Sequence, residues 1–314
     1  MRNNHSETER PLVSISFCIS DNYAQHLAVV VASLLANSPA CDFRFHVVAS
    51  TLREETRTRL TAWAEASKGR FSFVYHLIDR ALFKCFPLPI EHISLEMYFR
   101  YWLPELLLDE AKTIYMDVDV LALGDILPLW QWDLAGHALA GTTDVKENTE
   151  SFQAFKQKLG MQPDAKYFYS GLLVMDLERL RQDHFTERCM ANTVKFLDIL
   201  AWPDQDIINL TYEGKILELP MRFNCTEPKR LPRGERPIIR HFANFSAKPW
   251  CCLWKNRTWP GYARYLLHTP YRGQIWRLLW AHLCGFFYFK YTKKGFERIL
   301  ICGVRIRKQR VNKG

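Results

Sequence analysis

The succession of short apolar runs and helix-periodic stretches constrains this chain more than any other feature. Val13–Ser20 is an apolar run that breaks at Asp21-Asn22, and Tyr23–Asn37 follows with apolar residues at helical spacing. Phe43–Ser50 repeats the strand pattern, Arg53–Ser67 the helical one, and Phe71–Ile78 is a third strand. Strands separated by whole helices return in the same direction, because a helical crossover carries the chain back to the sheet's starting edge. The spacing therefore predicts an α/β fold around a mostly parallel sheet. Further along it predicts a helix over Leu95–Leu108 and a strongly apolar strand over Thr113–Leu123. Strands over Ala138–Thr143 and Leu172–Met175 come next, then helices over Arg181–Leu200 and Asp204–Tyr212, and late strands over Ile216–Leu219 and Ile238–Phe242.

Charge divides the chain where the strand and helix pattern ends. Residues 271–314 hold eleven Lys or Arg against the single acid Glu297, a balance of +10, so the 31 basic and 32 acidic residues before them nearly cancel. A body that is electrically neutral gives no footprint for nucleic acid, and the net charge of +9 belongs to a tail. That tail also carries Trp276, Trp280, Phe286, Phe287, Tyr288, Phe289 and Tyr291, a mixture suited to an anionic membrane surface. The expected organisation is a polar N-terminus (1–12), a catalytic domain (13–260) and a basic aromatic, membrane-associating tail (261–314). No window is apolar enough to span a bilayer, and residues 1–12 are polar where a signal peptide needs an apolar stretch. The expected location is the cytoplasm, peripheral on the inner face of the membrane. Nine cysteines without a Cys-x-x-Cys pair, several of them in apolar stretches such as Cys18 and Cys189, fit reduced, buried thiols.

Two carboxylates in a central apolar strand demand an explanation. In Asp117-Val118-Asp119 an extended backbone would send both side chains to one side, where they could share a divalent cation such as Mn²⁺ or Mg²⁺. The alternative is that they end the strand in ordinary turn hydrogen bonds. A second cluster runs from His241 to Lys248 and Trp250: the imidazole could complete a metal shell and the ammonium could neutralise phosphate, or each could be an ordinary satisfied side chain. Pro203-Asp204-Gln205-Asp206 opens a helix, where capping accounts for one aspartate but not for three polar groups ahead of Ile207. Tyr167–Asp176 places Gly171 where the backbone turns tightly or approaches a ligand.

Taken together these segments resemble glycosyltransferase family 8, which contains bacterial lipopolysaccharide galactosyl- and glucosyltransferases and, more distantly, glycogenin. The resemblance spans residues 13–260. It rests on Asp21-Asn22-Tyr23-Ala24, His92-Ile93-Ser94 with Tyr98 and Arg100, Tyr115-Met116-Asp117-Val118-Asp119, Ser170-Gly171, Asp204-Gln205-Asp206, Arg222-Phe223-Asn224, and His241 followed by Lys248-Pro249-Trp250. It implies a GT-A fold, a Rossmann-like sheet merged with an acceptor-binding region. It also implies Mn²⁺ held by Asp117, Asp119 and His241, and a UDP-sugar donor, UDP-glucose or UDP-galactose. Donor contacts would come from Asn22, Tyr23, Arg100, Asp117, Asp144, Ser170, Gly171 and Lys248, and acceptor contacts from His92. Asp204 and Asp144 would hold sugar hydroxyls and Gln205 would lie near the anomeric carbon. Two positions depart from the family: Ser20 replaces an acidic residue and Tyr169 replaces an asparagine.

The implied activity is retaining transfer of glucose or galactose to a saccharide acceptor, lipopolysaccharide or lipooligosaccharide core, carried on a lipid. Gln205 has a neutral amide, a poor nucleophile, which favours same-face attack with the leaving phosphate taking the acceptor proton. Asp204 and Asp206 stand as alternative nucleophiles. A different class of function, a UDP-sugar-binding or scaffold protein with impaired catalysis, is the alternative.

Overall fold

The structure is a computed structural model that describes residues 10–88, 94–145, 149–243, 248–250, 258–293, 296–301 and 304–310. The chain forms two compact units, residues 1–241 and 242–314.

The first unit begins with β1 (Leu12–Cys18), α1 (Ala24–Asn37), β2 (Asp42–Ala49), α2 (Glu54–Glu65) and β3 (Phe71–Leu77). A 3-10 helix (Leu95–Trp102) leads into the single turn α3 (Leu103–Leu106), then β4 (Lys112–Met116), β5 (Val120–Ala122) and α4 (Leu127–Trp130). There follow β6 (Leu139–Thr143), α5 (Glu150–Leu159), β7 (Phe168–Asp176), α6 (Leu177–Gln182), α7 (Phe185–Phe196), α8 (Pro203–Thr211), β8 (Ile216–Glu218) and β9 (Ile239–His241). Seven strands make one sheet in the order β3-β2-β1-β4-β7-β6-β8. The pairs β1/β2, β2/β3, β1/β4 and β6/β8 are parallel, whereas β7 runs antiparallel to both β4 and β6. The mostly parallel α/β sheet expected from the sequence is present.

β1 is buried on both faces: Val13, Ile15 and Phe17 on one, Ser14 and Ser16 on the other. Two-sided burial is what a central parallel strand requires. Ser14 tolerates it by hydrogen bonding to the Thr113 hydroxyl at 3.3 Å. One face of α1, including Leu27, Val31 and Leu34, is wholly buried. Its Ser33 hydroxyl accepts from the Ala122 amide at 3.0 Å, and Asn37 Nδ2 donates to the Ala122 carbonyl at 3.0 Å, so α1 holds β5 by both backbone groups of one residue.

Three local expectations are corrected. Thr113–Leu123 is not one strand: β4 belongs to the seven-stranded sheet and β5 pairs with β9 in a separate two-stranded ladder, so the chain turns at Asp117–Asp119. The turn brings both aspartates to the sheet's carboxyl edge instead of burying them between neighbouring strands. Leu95–Leu108 is mainly 3-10 helix, with Arg100 Nε satisfied by the Met97 carbonyl at 2.8 Å. Arg181–Leu200 is broken where His184 takes a left-handed φ of 52°, which ends α6 and redirects the chain into α7. The helix α5, closed by Gly160 at φ 81°, was not anticipated.

The second unit contains α9 (Trp259–Leu266), α10 (Ile275–Phe287) and an antiparallel sheet of β10 (Tyr288–Lys293), β11 (Phe296–Ile301) and β12 (Val304–Arg310). Trp276 and Trp280, one helical turn apart on α10, are 74% and 67% exposed, and Leu283 and Phe287 are exposed beyond them. Among the described residues no helix is long and apolar enough to cross a membrane, and the six described cysteines carry no disulfide.

Candidate functional site

Three chain segments far apart in sequence meet at the carboxyl edge of β4. The Asp117 amide donates to the Gly171 carbonyl at 2.8 Å, which continues the β4/β7 ladder by one residue beyond Met116. Asp119 directly precedes β5, whose Val120 lies opposite His241 of β9. His241 Nε2 is therefore 3.2 Å from Asp119 Oδ1 and 4.0 Å from Asp117 Oδ2. One ligand atom from each of the three residues lies within 4.8 Å of the other two. Gly171 is what leaves this cluster room: a Cβ there would fall 2.4 Å from His241 Cε1 and 2.6 Å from Asp117 Oδ2. Two carboxylates and one imidazole form a donor set suited to Mn²⁺ or Mg²⁺, and the cradle that a Cβ would fill fits a cation.

A second, buried cluster stands beside it. Arg100, 4% exposed, donates to Asp117 Oδ1 at 3.1 Å, to the Ser170 carbonyl at 2.7 Å, and lies 2.9 Å from Asp204 Oδ2. Its guanidinium rests 4.4 Å from the centre of the Tyr115 ring, and the Tyr115 hydroxyl donates to the same Asp117 Oδ1 at 2.6 Å. One oxygen of Asp117 is thus held by Arg100 and Tyr115 while the other faces His241. Ser170 joins the helix to the strand: its amide donates to Gln205 Oε1 at 3.1 Å and its hydroxyl to Asp204 Oδ2 at 2.8 Å. Burial raises the Asp204 pKa, and Arg100 and the Ser170 hydroxyl offset this only in part. Burial opposes the charge on Arg100, but Asp204, Tyr115 and Asp117 outweigh it and its pKa is raised.

Asp206 has a different task. It is fully buried and accepts from the Ala201 and Trp202 amides at 2.8 and 2.9 Å and from the Tyr167 hydroxyl, so it ties down the start of α8. Burial pushes its pKa up to about 6. With no exposed oxygen and three donors on its carboxylate, Asp206 is removed from the candidate nucleophiles. Asp144 is buried at the end of β6, its amide bonded to the Tyr167 carbonyl at 2.8 Å. Tyr169 lies between this edge and the metal-type cluster. Its hydroxyl accepts from Thr226 at 3.4 Å, its ring centre is 6.5 Å from that of His241, and burial together with Asp144 raises its pKa.

The structure therefore brings together Arg100, Asp117, Asp119, Ser170, Gly171, Asp204, Gln205 and His241, with Asp144 linked through Tyr169. Asn22 and Tyr23 occupy the turn after β1, and the pairing of Ser16 with Tyr115 makes that turn leave the sheet at the edge where Asp117 stands. Asn22 accepts from the Ser20 hydroxyl at 2.5 Å. Lys248 belongs to the second unit, where its ammonium is 5.8 Å from the Trp250 ring centre. His92 lies outside the described residues. Sequence reasoning gave no task to Tyr115 and Asn224. Both stand in motifs that carry the family resemblance, and the place of Tyr115 two residues before Asp117, on the same side of an extended chain, points to its contact with that aspartate.

Fold and site together define an α/β protein with a metal-type carboxylate–imidazole cluster at the edge of its sheet. The chain belongs to glycosyl transferase family 8, whose sequence model matches residues 14–252. It is 28% identical over 218 residues to a putative glycosyltransferase of Haemophilus influenzae, covering 69% of this chain and 64% of that protein. It is 25% identical over 213 residues to the lipopolysaccharide 1,2-glucosyltransferase of Escherichia coli K12, covering 68% and 62%. The match thus spans less than two thirds of either relative's length. Among solved structures, the galactosyltransferase LgtC in complex with donor and acceptor sugar analogues superimposes with a TM-score of 0.73 at 28% identity, over 82% of this chain and 96% of that one. The GT-A fold expected from the sequence is that of this neighbour.

Proposed function

We propose that this chain is a retaining glycosyltransferase that moves glucose or galactose from a UDP-sugar to a saccharide acceptor, lipopolysaccharide or lipooligosaccharide core. The observation that carries the reading is the Asp117–Asp119–His241 cluster opened by Gly171 and set directly beside Arg100, Asp204, Ser170 and Gln205. The similarity to a lipopolysaccharide glucosyltransferase and to a galactosyltransferase bound to sugar analogues supports the substrate class.

Asp117, Asp119 and His241 would hold the divalent ion, Mn²⁺ in the first instance, which when bound offsets negative charge on a diphosphate leaving group. The remaining chemistry falls to the side chains. Arg100 fixes Asp117 and Asp204 in place, so neither carboxylate has to reorganise during the reaction. Asp204, already engaged by Arg100 and the Ser170 hydroxyl, is a weakened nucleophile and a ready acceptor for sugar hydroxyls. Gln205, its amide oxygen oriented by the Ser170 amide, would steady positive charge on the sugar ring with a neutral dipole. These roles favour same-face attack: the acceptor oxygen bonds to the anomeric carbon as the bond to the phosphate oxygen breaks, and that phosphate takes the acceptor proton. Asn22, Tyr23 and Asp144 are proposed for the donor. For His92 and Lys248 the family resemblance is the sole support.

Attachment to an anionic membrane surface, where a lipid-linked acceptor would be reached, is supported by α10. Trp276, Trp280, Leu283 and Phe287 form one exposed apolar stripe in a segment carrying +10. UDP release from UDP-glucose and UDP-galactose, measured with Mn²⁺ and with or without an oligosaccharide acceptor, tests the proposal. Tight UDP-sugar binding with no release in any combination would replace it with the binding or scaffold reading.

A further inference from the structure

His241 reaches the two aspartates through one ring nitrogen, Nε2. The other, Nδ1, lies 2.8 Å from Asn224 Oδ1, and both residues are buried, at 3% and 1% exposure. A neutral imidazole has one N–H and one lone pair, and the partner of one nitrogen decides what the other offers. An amide oxygen can only accept. With Asn224 Oδ1 against it, Nδ1 carries the hydrogen, and in the neutral ring that leaves the lone pair on Nε2, the nitrogen that faces Asp117 and Asp119.

Two further observations single out that oxygen. Asn224 Nδ2 is buried with no partner among the described residues, so the amide is not retained for its donor end, and an unmet buried donor is a cost that something must offset. The backbone around Asn224 is laced to β9: the Cys225 amide donates to the Ile239 carbonyl at 2.9 Å, and the His241 amide to the Cys225 carbonyl at 3.0 Å. Arg240 Nη1 spans the same junction, donating to the carbonyls of Cys225 at 2.6 Å and of His241 at 3.0 Å. The loop carrying the amide and the strand carrying the imidazole are thus tied together by backbone and Arg240 hydrogen bonds.

We propose that Asn224 is a positioning residue that fixes the tautomer and ring orientation of His241, so that Nε2 meets a divalent cation between Asp117 and Asp119 as a lone pair. The inference rests on the metal reading above. Support from outside the ligand shell of this kind typically changes metal affinity by roughly 10–100-fold.

The test uses the full chain with Mn²⁺ as the probe, titrated while the EPR signal of free ion is followed, and with ¹⁵N-histidine NMR reporting which nitrogen of His241 bears hydrogen. Asn224→Leu should weaken Mn²⁺ binding about 10–100-fold. Asn224→Asp, which keeps an acceptor in the same place, should bind within about threefold of the unsubstituted chain. The unsubstituted chain should show hydrogen on Nδ1. Unchanged affinity in Asn224→Leu, an Asp variant as weak as the Leu variant, or hydrogen on Nε2 alone in the unsubstituted chain would each overturn the inference. Should Asn224→Leu fail to fold, the Asp variant and the NMR readout still decide. Asp119→Asn separates the two levels: equal Mn²⁺ binding by that variant and the unsubstituted chain sinks the metal reading, whatever Asn224 does.

Discussion

Two clusters of the first unit in which carboxylates meet basic side chains are built on opposite balances. At the carboxyl edge of β4, Asp117 and Asp204 contact the guanidinium of Arg100, and Asp119 joins Asp117 beside His241. At the opposite, amino end of β4, Glu110 is shared by Arg44 at 2.7 Å and His46 at 3.1 Å, with His76 3.0 Å behind His46. In the first cluster negative charge exceeds positive among the described residues; burial raises the Asp204 pKa and Arg100 offsets this only in part. In the second, burial alone would raise Glu110, but His46 and Arg44 outweigh it and the pKa is lowered. The amino-end cluster is complete as it stands. Among the described residues the edge cluster is short of positive charge, as a place that receives a cation should be.

The largest effect expected is at the edge. Asp119→Ala should lower transfer about a thousandfold, roughly 4 kcal/mol of transition-state stabilisation, and full turnover by the folded enzyme in excess EDTA would break the contrast at once. Next comes Asp206, whose folded pKa of about 6 stands above the ordinary 3.8. Its contribution to stability is fully present below about pH 4 and is lost as pH rises through about 6, amounting to about 3 kcal/mol. Urea unfolding at several pH values, with Asp206→Asn as reference, should show that slope, and a difference that is flat in pH would remove it.

A smaller effect separates the sugar end of the site from the nucleotide end. Gln205→Ala should cut kcat about thirtyfold, roughly 2 kcal/mol, while UDP affinity changes less than about threefold. A parallel loss of both would move Gln205 to the nucleotide. The smallest effect lies at the amino end of β4. Glu110→Gln should cost about 1 kcal/mol at pH 7, and because a depressed carboxylate stabilises above its unfolded pKa, the cost should fade as pH falls below the ordinary glutamate range. The two carboxylates then have opposite pH slopes in one protein, and slopes of the same sign would erase the comparison.

Much of the architecture was legible because it depends on local periodicity. β1 through β3 and the helices between them follow from runs and spacings that each element carries in its own sequence. The break between β4 and β5 was not legible, because Val118, Val120, Leu121 and Ala122 are all buried and read as one apolar stretch. Only the distant partners Leu172 and His241 decide that the stretch serves two ladders. The same limit applies to the site. Asp117 and Asp119 stand out because charge in an apolar strand is costly, whereas Tyr115 and Asn224 acquire their tasks from contacts made across the fold. Gln205 and Asp206 are neighbours in sequence, yet one faces Ser170 and the other is sealed under Trp202; that difference is set by packing around α8.

The three-residue ladder between β5 and β9 also has a meaning in time. His241 is the last residue of β9 and of the first unit, and its partner Val120 precedes it by more than a hundred positions. A ribosome releasing this chain from its N-terminus exposes both aspartates long before the histidine, so the nascent protein carries an incomplete set of ligands through most of its synthesis. A cation held by Asp117, Asp119 and His241 would bind only after that last ladder has formed, and its binding would then add to the ladder's stability.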